Sequence, residues 1–199
     1  MTLRTGAPVV VGAVWLALAI ALAASGRLET LRPPVPQFVL VGLTLALLFA
    51  LAVSQGFRTW AWSLPVAGVV AFHLLRFVGV YFLVLYRNGQ LPYAFAVPGG
   101  WGDILVATSA GLLLLSGPPS TPGRRAAYSA WNVLGFLDIL MVVATAARLG
   151  LTAPDSMRAL LRPPLSLLPT FLVPLIIASH VVLAIRLARD PTAQRAEFV

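Results

Sequence analysis

The chain has 199 residues, 59% of them hydrophobic and only 10% charged, with a formal net charge of +8 at pH 7. About a quarter of the residues in a water-soluble domain are charged, so this composition excludes an ordinary soluble globule. Cysteine and lysine are both absent, which excludes disulfides, thiolate metal centres, iron–sulfur clusters and any lysine Schiff base.

All fourteen basic residues are Arg, beside abundant Ala, Leu, Gly and Pro. That usage fits a GC-rich bacterial coding sequence. The arginines lie mostly in connections and termini, which points to anionic lipid headgroups as their partner and away from nucleic acid.

Six apolar stretches fill the chain, and only Arg76, Arg87, Asp103, Asp138 and Arg148 interrupt or closely edge them. In a lipid core every backbone N–H and C=O must be satisfied within the protein, which helices do segment by segment. About 20 apolar residues suffice to cross. The expected fold is therefore all-α, a polytopic membrane protein forming one integral domain over 1–199 with a six-transmembrane-helix bundle.

The first helix is expected at about 8–25. Its run ends in Ala-Ala-Ser-Gly, as a cleaved signal could, but it is longer than a usual signal core and is expected to be retained. Ala13, Ala17 and Ala21 offer a small-residue face for close helix approach, if they are more than the general abundance of Ala. The second helix, about 36–54, follows Pro33, Pro34 and Pro36, which sit where missing N–H groups are harmless. The third runs over about 64–86 and the fourth over about 102–116, ended by Gly117-Pro118-Pro119. The fifth covers about 127–148. Residues 154–162 are too short and charged to cross; an interfacial helix with Met157, Leu160 and Leu161 towards lipid competes with a plain loop. The sixth helix, about 167–188, carries Pro169 and Pro174 in its first turns, which should kink or loosen it.

Trp60, Trp62, Tyr81, Tyr86, Trp101, Tyr128 and Trp131 fall mostly near helix ends, as an aromatic belt does. Leu31-Arg32-Pro33-Pro34 recurs as Leu161-Arg162-Pro163-Pro164, compatible with a parallel repeat of helices 1–2 and 5–6. Arg4, Arg58, Arg124, Arg125, Arg186, Arg189 and Arg195 gather on the N-terminal side, against Arg27, Arg32, Arg87, Arg148, Arg158 and Arg162 opposite. The margin is narrow. It places both termini on the cytoplasmic side of a cell inner membrane.

Ionisable residues inside apolar helices are functional candidates by default. Four stand out: His73 and Arg76 on the third helix, Asp138 on the fifth and His180 on the sixth. His73 and His180 are the only histidines. Counting from the flanking arginines puts them within about 10 Å of a common depth. The competing structural reading pairs Arg76 with Asp138 as a fastener and leaves each histidine on a backbone carbonyl or a Ser179-type hydroxyl. Gly135 lies about 60° from Asp138 around its helix and Asn132 about 120°, so Gly135 is expected to admit a neighbouring helix beside the carboxylate. Asp103, after Pro98-Gly99-Gly100-Trp101-Gly102, is expected as an N-cap or as a vestibule residue at the outer surface.

Four functional expectations follow. The preferred one is b-type haem, ligated by His73 and His180 with Arg76 on a propionate, serving electron transfer or redox sensing. The second is a proton-coupled small-molecule transporter built on the His/Arg/Asp set, with Asp138 and Asn132 as buried relay groups. The third is a Zn or Fe site from His73, His180 and Asp138. No His-Glu-x-x-His or Gly-x-Ser-x-Gly motif is present, so enzyme chemistry is the weaker expectation. The fourth is a structural subunit of a larger membrane complex or a homo-oligomer, with the polar set as glue.

Overall fold

The computed structural model describes residues 6–189; Arg4 and Arg195, counted above, lie outside the described residues. Among the described residues the chain is helical with no strand, and six helices are long and apolar enough to cross a membrane. These are α1 (Gly6–Ala24), α2 (Val35–Val53), α4 (Val66–Arg87), α5 (Tyr93–Ser116), α6 (Pro122–Thr152) and α7 (Leu168–Ala188). A short helix, α3 (Gln55–Ser63), lies between α2 and α4. Ser54 caps it, accepting a hydrogen bond from the Phe57 N–H. Its Gln, Arg, Thr and Ser make it too polar to cross, so in apolar periodicity it is indistinguishable from a connection.

Three departures from the expected elements matter for the site. First, α4 is not α-helical throughout: residues His73–Phe77 form a 3-10 turn between Val66–Phe72 and Val78–Arg87. At about three residues per turn, side chains at i and i+3 eclipse. His73 and Arg76 therefore point the same way and are buried, while Leu74, Leu75 and Phe77 face outward. Second, α5 begins at Tyr93 rather than near 102, so Asp103 is not an N-cap; Pro98 and the glycines lie inside the helix. Those glycines allow close approach. A Cβ at Gly100 would sit 2.8 Å from the Gly79 carbonyl oxygen of α4, and one at Gly102 would overlap the Asp138 carboxylate of α6. Small residues that let helices meet backbone to backbone explain the run better than a loop does. Third, residues Pro154–Leu161 form a 3-10 turn whose Met157 is buried in the core, not turned outward. Its neighbour across the end of the molecule is the 3-10 turn Arg27–Thr30.

Pro169 coincides with a π turn over Leu168–Leu172 at the start of α7. Its ring supplies no N–H, and the displaced ladder is what a proline in a helix produces. Trp15 of α1 donates to the Thr170 carbonyl at 2.9 Å, inside that loosened turn.

At the opposite end, arginines close the helix termini. Arg124 donates to the Ser116 carbonyl at 2.9 Å and Arg125 to the Leu187 carbonyl at 2.8 Å, so the last turns of α5 and α7 meet cations. Tyr128 donates to the Gly117 carbonyl at 2.9 Å. The best-buried helix is α7, with 56% of its apolar window inside, against 11% for α1 and for α2 at matching mean hydropathy of 2.2 to 2.4. Hydropathy here marks length and solvent, not the core.

Candidate functional site

The buried polar residues fall into two adjoining clusters. The first is ionic. Arg76 is only 1% exposed and is held from three sides. Its Nε donates to Asp103 Oδ1 of α5 at 2.6 Å, its Nη1 to the Gly135 carbonyl of α6 at 2.9 Å, and its Nη2 to Asp138 Oδ2 of α6. The guanidinium fork presents donors in fixed directions, so one side chain of α4 fastens both α5 and α6. One guanidinium faces two carboxylates, and the cluster as written carries a formal charge of −1. The expected Arg76–Asp138 pair is present, and Asp103 joins it. Asp103 is 3% exposed, deep between helices rather than at an outer vestibule.

The second cluster is neutral. His73 of α4 and His180 of α7 are 0% and 1% exposed, with ring centroids 4.3 Å apart and planes tilted by 49°. His73 Nε2 lies 3.1 Å from Ser179 Oγ, and that hydroxyl donates its one proton to the Ile176 carbonyl at 2.8 Å. The hydroxyl must then accept from the imidazole, which puts the ring proton on Nε2 and leaves Nδ1 a bare acceptor. Asn132 Nδ2 donates to the His180 carbonyl at 3.1 Å, which turns its Oδ1 towards His180 Nδ1 at 2.9 Å. The proton of His180 is thereby on Nδ1, and Nε2 is the bare acceptor. Both bare nitrogens are buried without a hydrogen-bond partner. Trp131 stands edge-on to His73 and lies against His180, at centroid distances of 5.1 Å and 5.8 Å.

Gly135 joins the clusters. Its carbonyl takes Arg76, and a Cβ there would stand 2.9 Å from His180 Cε1 and 3.1 Å from Val106 Cγ1. The neighbour that Gly135 admits is thus the His180 ring, not a helix beside Asp138. Asn132, set apart from Asp138 around the helix, hydrogen-bonds His180.

The histidine pair does not fit a bis-imidazole haem. Axial nitrogens must lie about 4 Å apart across the iron, with metal–nitrogen bonds near 2 Å, which sets ring centroids beyond about 6 Å. At 4.3 Å the rings already touch, and no slot for a macrocycle separates them. Arg76 is engaged by two carboxylates rather than free for a propionate. Of the three residues in the metal reading, Asp138 is turned to Arg76 rather than to the two imidazoles.

Two members of the ionic cluster, Arg76 and Asp103, line a cleft of about 750 Å³ that sequence reasoning missed, because its walls come from helices far apart in the chain. Arg76 and Asp103 border it, Phe82 and Phe95 lie beside them, and its sides are mainly aliphatic residues of α2, α6 and α7. Both Leu-Arg-Pro-Pro motifs converge near its outer end. There Glu29 accepts from Arg162 at 2.9 Å, tying the 3-10 turn before α2 to the segment after α6.

Neither the curated proteins nor the solved structures contain a match to this chain. A family model matches residues 33–188, the stretch from the start of α2 to the end of α7 that holds both clusters and most of the cleft lining. The chain belongs to that family, described as the domain of unknown function DUF8737.

Proposed function

We propose that the chain is a multi-pass protein of a bacterial inner membrane and acts as a proton-coupled carrier of a small molecule held in the cleft. The membrane part rests on the outer surface: Leu115 is 87% exposed, Leu105 71% and Phe38 68%, while Arg76 and Asp103 are inside. Water would punish that arrangement and lipid rewards it. The carrier part rests on one observation, the Arg76–Asp103–Asp138 cluster, whose Arg76 and Asp103 border the cleft. Two carboxylates against one guanidinium leave a surplus charge in a low-dielectric interior, and neutrality takes one further proton or one further cation. The two histidines on the far side of Gly135 keep one bare acceptor nitrogen each.

Infrared titration of the protein in liposomes tests the proton half of this reading without a substrate. A protonated-carboxyl band should change with pH, and should be lost or shifted in Asp103→Asn and in Asp138→Asn. A spectrum in which no carboxyl titrates, with both variants matching the wild type, overturns it. The assembled Asp138→Asn protein should also lose any uptake driven by a pH gradient.

A further inference from the structure

We infer that the ligand of the cleft is an amphiphilic monocation: a protonated amine or quaternary onium carried on an apolar body, with its charge at Asp103. This rests on the carrier reading above and names its substrate class. Along α6 the cleft runs from Gly150 to Ile139, a depth of about 16 Å at the helical rise. Leu40, Val142, Val143, Leu172 and Ile176 supply walls with nothing to offer a polar ligand. A cleft of about 750 Å³ is in the range that takes a drug-sized molecule.

The ionic cluster selects the charge. Asp103 Oδ1 accepts from Arg76, and that is the hydrogen bond its carboxylate makes among the described residues. Arg76 commits one donor from each of its three nitrogens to Asp103, Gly135 and Asp138, and its charge is already answered by two carboxylates, so the surplus at the cluster is negative. The charges facing Asp103 are Arg76 from α4 and Asp138 from α6. A monocation brings this set to neutrality. An anion doubles its surplus, and a dication reverses it. Phe82 and Phe95, with ring centroids 5.1 Å apart, border the cleft with Asp103 and back the site with apolar surface.

The openings select the body. The outer end lies beneath the Glu29–Arg162 pair. On the flank, Val41 of α2 and Leu75 of α4 both line the cleft and are 47% and 51% exposed on the apolar outer surface. A ligand that reaches the cleft sideways must first dissolve in lipid. Proton and cation answer the same surplus charge, so one displaces the other.

The test uses the full-length protein in nanodiscs with tritiated tetraphenylphosphonium, a permanent monocation with an apolar body. It should bind saturably, release about one proton per cation into unbuffered medium, and bind more weakly as pH falls. Triphenylphosphine oxide, the neutral analogue, should not compete. Asp103→Asn should lower affinity at least about tenfold, the scale of one lost charge-assisted contact, and abolish proton release. Absence of saturable binding to wild type, equal competition by the neutral analogue, or binding without proton release overturns the inference. Because the first two arms use wild-type protein, a misfolded Asp103→Asn cannot mask the answer. If the phosphonium fails while the infrared carboxyl band still titrates, the ligand class is wrong and the proton carrier stands. If the band is absent too, the carrier reading has failed.

Discussion

The ionic cluster, from α4, α5 and α6, and the histidine cluster, from α4, α6 and α7, are neighbours joined at Gly135, yet they are satisfied very differently. Around Arg76 the contacts go from charge to countercharge or carbonyl across α4, α5 and α6. Around the imidazoles each ring makes one bond and leaves one nitrogen bare. The difference follows from what each group loses when abandoned. An unpaired ion in a low dielectric is among the costliest defects a fold can carry, so the chain surrounds it with partners. A neutral imidazole with an idle lone pair is far cheaper. The first cluster should therefore hold the helices together, and the second should be free to take something up.

The largest expected effect breaks the first cluster. Arg76→Leu strands Asp103 and Asp138 without their cation and should destabilise the protein by about 3–5 kcal/mol, read as a drop in the thermal unfolding midpoint in detergent. Adding Asp103→Asn and Asp138→Asn to that variant should recover much of the loss, because neutral amides remove the stranded charges. If Arg76→Leu melts like the wild type, the ionic cluster is not the fastener and the contrast between the two regions collapses.

A smaller change strikes the joint between them. Gly135→Ala places a methyl 2.9 Å from His180 Cε1 and 3.1 Å from Val106 Cγ1. Overpacking of this kind costs about 1–3 kcal/mol, and the ring is the softer neighbour. The imidazole should swing from Asn132, and Trp131, which lies against it, should report the movement as a shifted fluorescence emission. An unchanged stability and emission would mean that Gly135 is not the contact that seats His180.

Why some of this was legible in the chain and some was not follows from the same physics. Length and apolar runs expose the six long helices because lipid demands about 20 residues at a time. They expose Arg76 and Asp138 because a lone charge in such a run must find another. They do not expose the placing of Asp103, since a Pro-Gly-Gly-Trp-Gly run reads as a loop by composition and as a close-packing face only when Gly79 and Asp138 are seen against it. Glycines at 99 and 102, three apart and just before a lone acid, were the available signal. Helical angles correctly set Asn132 apart from Asp138 but could not say that His180 would fill the space. Nor could two histidines at similar depth reveal that their rings touch. The cleft was invisible because it is a shape between helices rather than a property of any one.

The smallest expected effect separates the two histidines from each other. His73→Leu removes a ring whose single hydrogen bond goes to Ser179, and Ser179 keeps its own bond to the Ile176 carbonyl. It also removes an idle buried nitrogen. Losing one modest bond and one unpaired acceptor nearly cancel, so the unfolding midpoint should move by no more than about 1 kcal/mol. His180→Leu differs, because Asn132 Oδ1 is left facing an apolar side chain, and should cost about 1–3 kcal/mol. The pair of variants measured side by side in one detergent checks the ordering. A His73→Leu loss as large as that of Arg76→Leu would show that Nδ1 has a partner after all, a buried water or a bound cation. The imidazoles would then be fastened as tightly as the guanidinium, with nothing left open to take up a proton.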